Sequence, residues 1–194
     1  AYKELGKTEK AITFYQKVLH INSNHTNANY NLGIIFYKLK ELKRAKNYFE
    51  KTIKIQPNYA MAHFSLGNLQ KEFKELKKAK LSYLKAIEIR PNFASAQNNL
   101  GLLLSEMGDP KNAIESYKKA LAIDSNHASA HSNLGRIYTE TGEFDKAIES
   151  HKMAIKSEPE NLVHHFYLSE LNKNFLDSEL KNKTEKILNN KNPY

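Results

Sequence analysis

The chain carries eight histidines and no cysteine. His127 and His131 stand four residues apart, the spacing at which two imidazoles on a helix can share a metal ion. His127 falls in a loop slot, however, and His131 in the first turn of the helix that follows, so packing and partial exposure account for both. Disulfides and cysteine-ligated metals are excluded outright. No phosphate-cradling glycine loop, no HExxH and no Gly-x-Ser-x-Gly is present. The expectation is a segment without catalytic residues, without a metal site and without a cofactor.

Two other groups of residues could recognise a partner. Asn31, Asn99 and Asn133 recur at multiples of 34 residues, with Ser65 in the slot between. A carboxamide has both an acceptor oxygen and donor N–H groups, so a row of them matches the backbone of an extended polypeptide without reading its side chains. Lys40, Lys43, Arg44 and Lys46 recur one interval later as Lys74, Lys77, Lys78 and Lys80. The net charge of +9 is uneven: residues 1–93 hold 18 Lys and Arg against 7 Asp and Glu, and residues 94–194 hold 12 against 14. Aligned lysines can follow a row of phosphates, but no stacking aromatics interleave with these. They read as solvated turns, and no nucleic-acid partner is expected.

The elements that position these residues follow from the repeat. Leu32-Gly33, Leu66-Gly67, Leu100-Gly101 and Leu134-Gly135 are 34 residues apart, as are Ala11, Ala45, Ala79, Ala113 and Ala147. Tyr15, Phe49, Tyr83, Tyr117 and His151 share a third slot, and Pro57, Pro91 and Pro159 a fourth. Within one interval Leu100, Leu103 and Leu104 make one helical stripe, and Ala113, Tyr117, Ala120 and Leu121 make another. Gly108-Asp109-Pro110 separates them, and proline ends the second helix because it cannot continue the hydrogen-bond ladder. The spacing predicts two helices per unit. Gly101 and Ala113 let the helices approach, and Tyr117 fills the gap to the next hairpin.

This pattern resembles the tetratricopeptide repeat, most completely at Leu134, Gly135, Tyr138, Gly142, Ala147, Ala154 and Pro159. The resemblance covers about residues 1–161 and implies an all-α, right-handed α-solenoid of stacked helix-turn-helix repeats. The units are a partial first one over 1–25 and full ones over 26–59, 60–93, 94–127 and 128–161. A degenerate repeat and a C-terminal capping helix occupy 162–194. The family's tryptophan slot holds Asn29, His63, Gln97, His131 and His165, which weakens one packing contact per unit.

The resemblance also implies that first helices line a concave groove. Its wall would include Asn27, Tyr30, Asn31, Phe64, Ser65, Asn68, Asn98, Asn99, Asn133 and Arg136. None of these is needed to hold the hairpins together, so their polarity points to a bound polypeptide. Phe64, Ser129 and Asn133 stand where chaperone-tail-binding members carry cations, which excludes that clamp. The asparagine run is similar to the arm of O-linked N-acetylglucosamine transferases. The expected function is a protein-interaction scaffold, with the substrate-recruiting arm of a larger glycosyl- or other group-transferase as the alternative.

The first helix of unit 1–25 is expected to be truncated, with Leu5, Ile12 and Tyr15 poorly covered and disposed to self-association. The reading is a segment of a longer protein. Residues 177–190 are expected to form a polar helix carrying Leu180, Ile187 and Leu188, before Asn192-Pro193-Tyr194. No run approaches the ~18 apolar residues of a membrane span. Freedom from cysteine fits a reducing compartment, so a cytoplasmic location is expected.

Overall fold

Apolar residues at helical spacing, punctuated twice per interval, fold the chain into hairpins. The computed structural model describes residues 2–171. In chain order the helices are α1 (Tyr2–Ile21), α2 (Thr26–Lys38), α3 (Leu42–Ile55), α4 (Ala60–Glu72), α5 (Leu76–Ile89), α6 (Ala94–Glu106), α7 (Pro110–Ile123), α8 (Ala128–Glu140), α9 (Phe144–Ser157) and α10 (Leu162–Leu171). No strand occurs among the described residues, and the architecture is that of an α-solenoid of helix-turn-helix repeats. First helices begin at Thr26, Ala60, Ala94, Ala128 and Leu162. The expected helix over 177–190 lies outside the described residues.

The chain forms two compact units, Ala1–Asn99 and Leu100–Tyr194. In the first, α2, α3 and α4 bury Leu32, Phe36, Ala45, Phe49, Leu66 and Leu69. Ile12, Tyr15 and Leu19 of α1 pack against that cluster. A second cluster joins Ala86, Phe93 and Ala96 to Met61, Phe64 and Ile87. In the second unit α9 packs on both α8 and α10, burying Ile137, Ala147, Ala154 and Leu168.

One contact recurs in every hairpin. The aromatic ring of the second helix lies on the glycine of the first. A Cβ built on Gly67 would stand 2.7 Å from the Tyr83 ring, and one on Gly33 would stand 2.5 Å from Phe49. Ordinary van der Waals contact needs about 3.5–4.0 Å between carbons, so only glycine admits the ring. In the fourth hairpin His151 takes the aromatic's place, 2.6 Å from such an atom on Gly135. It stacks on Tyr167 at 5.3 Å.

Turn chemistry differs from what the glycine signal implied. Each first helix whose end is described closes with a paired backbone motif. In α2 the Lys40 N–H donates to the Tyr37 carbonyl at 3.0 Å and the Glu41 N–H to the Phe36 carbonyl at 2.9 Å. That geometry puts one residue in the left-handed region. Gly108 and Gly142 fill the slot at φ 77° and 78°, but Lys40 and Lys74 fill it at φ 62° and 59°.

α1 departs from the expected truncated hairpin. It runs as one helix through Gly6, which occupies the same turn slot. Continuing the helix through Gly6 keeps the backbone groups on either side of it in one hydrogen-bond ladder. The apolar surface also differs from expectation. Ile12 and Tyr15 are half-buried, and the exposed residues are Phe14 and Ile21. The side chain of Leu5 lies outside the described residues.

Two stability predictions follow from these slots. A left-handed L-residue costs roughly 1–2 kcal/mol, part of which glycine returns through its freer unfolded chain. Lys74→Gly should therefore stabilise the protein by about 0.5–1 kcal/mol in a denaturant titration, and a destabilised variant would contradict the turn assignment. His151 is held down to about 4 from the ordinary 6.5, by burial first and by the charge of His164 second. The unfolded chain therefore takes up the proton first. Stability is fully present above pH 6.5 and falls on acidification toward pH 4, by at most on the order of 3 kcal/mol. His151→Phe, the residue type used at Phe49, should abolish that portion of the loss. Thermal melts of parent and variant at neutral and acid pH measure the difference.

Candidate functional site

The face of each first helix away from its partner helix carries the polar residues singled out above. In the first unit these come from α2, α4 and the start of α6. Asn27 is exposed, Tyr30, Asn31, Phe64, Asn68 and Asn99 are half-buried, and Ser65 and Asn98 are buried.

Their polar atoms pair largely with one another, between successive repeats. The hydroxyls of Tyr30 and Ser65 lie 3.4 Å apart. Tyr59 donates its hydroxyl to the Asn27 oxygen at 3.2 Å. The Asn68 oxygen accepts twice, from the Tyr83 hydroxyl at 2.8 Å and from the Asn99 amide at 2.8 Å. Asn98 donates to the Asn99 oxygen at 3.2 Å, and Asn31 donates to the Tyr15 hydroxyl at 3.1 Å. Tyr37 donates to Glu72, 35 residues on. These residues therefore do hold repeats together, contrary to the reading that the hairpins can dispense with them. Their side chains span the seam between neighbouring first helices, where each buried polar group must find a partner.

The pairing leaves defined valences open. Asn68 is committed through its oxygen, so its NH2 is available on the face. Asn31 is committed through its NH2, so its oxygen is available. Both polarities of a peptide group can thus be met. Ring pairs flank the amides: Tyr30 with Tyr59 at 5.1 Å, and Phe64 with Phe93 at 4.8 Å. Tyr37 is pushed up to about 12, by burial first and then by its bond to Glu72 and that residue's charge. Burial also raises Tyr59, with Tyr30 adding to it. These phenols remain neutral donors at any physiological pH.

In the second unit Asn133 is half-buried, and Arg136 lies 3.7 Å from Glu140. The slot of Asn68 is taken by Leu102, so the Tyr117 hydroxyl has no amide to meet there and faces Arg136 instead. Burial pushes Tyr117 up to about 12 against the pull of Arg136. With leucine in that slot, the Asn68–Tyr83 pairing has no counterpart at Tyr117.

The tryptophan slot has a function that sequence reasoning missed. His63 reaches the Pro57 carbonyl at 2.8 Å, His131 the Ser125 carbonyl at 2.9 Å and His165 the Pro159 carbonyl at 2.9 Å. Asn29 donates to the Ser23 carbonyl at 3.1 Å. Each ties the loop between repeats to the helix that follows. The constant six-residue spacing was the signal available in the sequence. His25 and His127 cap α2 and α8 through Nδ1, at 3.2 and 3.3 Å. The pair His127 and His131 is thus engaged by two different backbone groups. No three His, Asp or Glu side chains converge as a metal site among the described residues.

The geometry can be set beside known proteins. Family models described as tetratricopeptide repeat match residues 26–59, 60–93 and 92–157, and one described as TPR repeat matches residues 1–40. No curated protein is matched by sequence. Among solved structures, MamA is similar at TM-score 0.72 and 26% identity, over 83% of this chain and 94% of that one. YrrB, described as a TPR protein with an unusual peptide-binding site, is similar at TM-score 0.68 and 19% identity, over 90% and 89%. The pilF protein of Pseudomonas aeruginosa is similar at TM-score 0.82 and 23% identity, over 100% and 87%. The last two share the fold. With 430 solved chains matching, architecture alone selects no partner; side chains must do so.

Proposed function

We propose that this chain, which carries tetratricopeptide repeats across residues 1–157, is an interaction scaffold that holds an extended polypeptide against the first-helix face of its first unit. The observation that carries the reading is the pre-set polarity of the amides. Asn68 presents N–H groups and Asn31 a carbonyl oxygen, each fixed by a hydrogen bond through its other end. An amide already held in place loses little side-chain freedom on binding, which reduces the entropic cost of association. Backbone-directed contacts tolerate many side chains. The ring pairs around Tyr30 and Phe64 add preference for apolar or aromatic residues at intervals.

The binding energy is modest by construction. Each net hydrogen bond contributes about 0.5–1.5 kcal/mol and a ring contact a similar amount, so two or three backbone contacts and one ring contact suit a weak interaction, between about a millimolar and tens of micromolar. Asn99, Asn98 and Ser65 support the row within the first unit.

The test removes the open valences while keeping the packing. Leu102 shows that the Asn68 slot accepts leucine. The double variant Asn31→Ala with Asn68→Leu should lose about 1–3 kcal/mol of stability, because Tyr15, Tyr83 and Asn99 lose partners. Its affinity for peptides selected by the parent from a random display library should fall about tenfold to a hundredfold. Fluorescence anisotropy with a labelled peptide reads it out. Equal affinity in a folded variant would refute the groove assignment.

A further inference from the structure

We propose that the two hairpin tips of the first unit form a docking edge for an anionic bilayer surface, independent of the peptide-holding face. The tips lie side by side. Glu72, at the end of α4, accepts the hydroxyl of Tyr37 from the end of α2 and lies 3.7 Å from the ammonium of Lys40. The α2–α3 and α4–α5 turns are therefore neighbours on one edge.

Each tip presents the same sequence of features. The last residue of the turn's approach is apolar and partly exposed: Leu39 at 38% and Phe73 at 37%. The next residue is a lysine in the left-handed conformation, Lys40 or Lys74. Glycine fills that slot at Gly108 and Gly142, and an L-residue is strained there. Both turns of the first unit nonetheless carry a cation. Three residues on, Lys43 and Lys77 are exposed, and neither takes part in an ion pair or hydrogen bond among the described residues. Their neighbours are already engaged: Arg44 pairs with Glu41 at 2.6 Å and covers the Phe36 ring, and Lys78 pairs with Glu75 at 3.2 Å.

Charge changes sign with the unit. Residues 38–46 hold five cations and one acid, and residues 72–80 hold four and two. The corresponding residues 106–114 hold one cation and two acids, and residues 140–148 one and three. If lysine served only to keep turns solvated, the same bias would serve all four. Its confinement to two adjacent tips marks a surface.

The apolar residues choose among polyanions. A bilayer interface takes up a partly exposed aliphatic or aromatic side chain while lysines around it meet headgroup charges. Nucleic acid offers its bases to aromatic faces, and here one tip carries leucine. An acidic polypeptide would need only the charge. Lysine outnumbers arginine at the tips, which suits diffuse attraction to a charged surface rather than bidentate clamping of single phosphates.

The test uses the whole 194-residue chain in flotation with phosphatidylcholine vesicles, with and without one third phosphatidylserine. Single-stranded RNA and poly-glutamate are measured in parallel. The chain should float with the anionic vesicles and not with the neutral ones, and added salt should release it. Lys43→Glu with Lys77→Glu should weaken vesicle binding by about thirtyfold or more. Leu39→Ser with Phe73→Ser should weaken it by about tenfold and leave any binding to poly-glutamate and RNA unchanged. Melting curves verify that each variant is folded. Failure to float with anionic vesicles overturns the proposal, as does equal flotation of the Leu39/Phe73 variant. Tighter binding to RNA or poly-glutamate than to the vesicles, at equal charge, also overturns it and gives the edge to that partner.

Discussion

Everything in this chain depends on how closely two helices of a hairpin can approach. The ring of Tyr83 lies against the backbone at Gly67, where any Cβ would stand 2.7 Å from it. Close packing of that kind leaves no room for adjustment. Because the ring lies over the glycine, its hydroxyl reaches the next residue, Asn68, and donates to its oxygen at 2.8 Å. The interior contact and the surface amide are thus two ends of one side chain. Phe49 has no hydroxyl, and the first unit's other seam is built instead from Tyr30, Ser65, Tyr59 and Asn27.

This coupling explains why the first-helix face is polar without being loose. Amides on a solvated helix would be free to rotate and would lose entropy on meeting a ligand. Here half of each amide's capacity is spent on the neighbouring repeat, and the other half is aimed. The second unit shows what happens when the partner is missing. Leu102 replaces the asparagine, and the Tyr117 hydroxyl has Arg136 rather than an amide beside it.

Much of this was legible in the sequence. The 34-residue recurrence of Leu-Gly, alanine and an aromatic specified the helices, because each marker is tied to a steric demand at that spacing. The ladder of Asn31, Asn99 and Asn133 was also visible, but its wiring was not. Hydrogen bonds such as Asn31 to Tyr15 and Asn99 to Asn68 cross 16 and 31 residues, and no local pattern encodes them. Lys40 and Lys74 hid a left-handed turn, because the usual signal for that conformation is glycine. The continuous α1 was missed for a related reason: Gly6 marks a turn only where a preceding helix packs against the next. His63, His131 and His165 read as weakened packing, yet their six-residue reach to a carbonyl replaces the lost contact with a hydrogen bond.

The central claim is that Asn31 and Asn68 offer opposite, pre-oriented halves of an amide to a polypeptide backbone. Side-chain amide resonances of nitrogen-15-labelled protein report on it directly, as a library-selected peptide is titrated in. The Asn68 NH2 signals should move downfield on gaining a backbone acceptor. The Asn31 NH2 signals, already donated to Tyr15, should shift much less. If the Asn68 signals stay in place at saturation while resonances elsewhere move, the polypeptide is held by another surface and the account of this face is wrong.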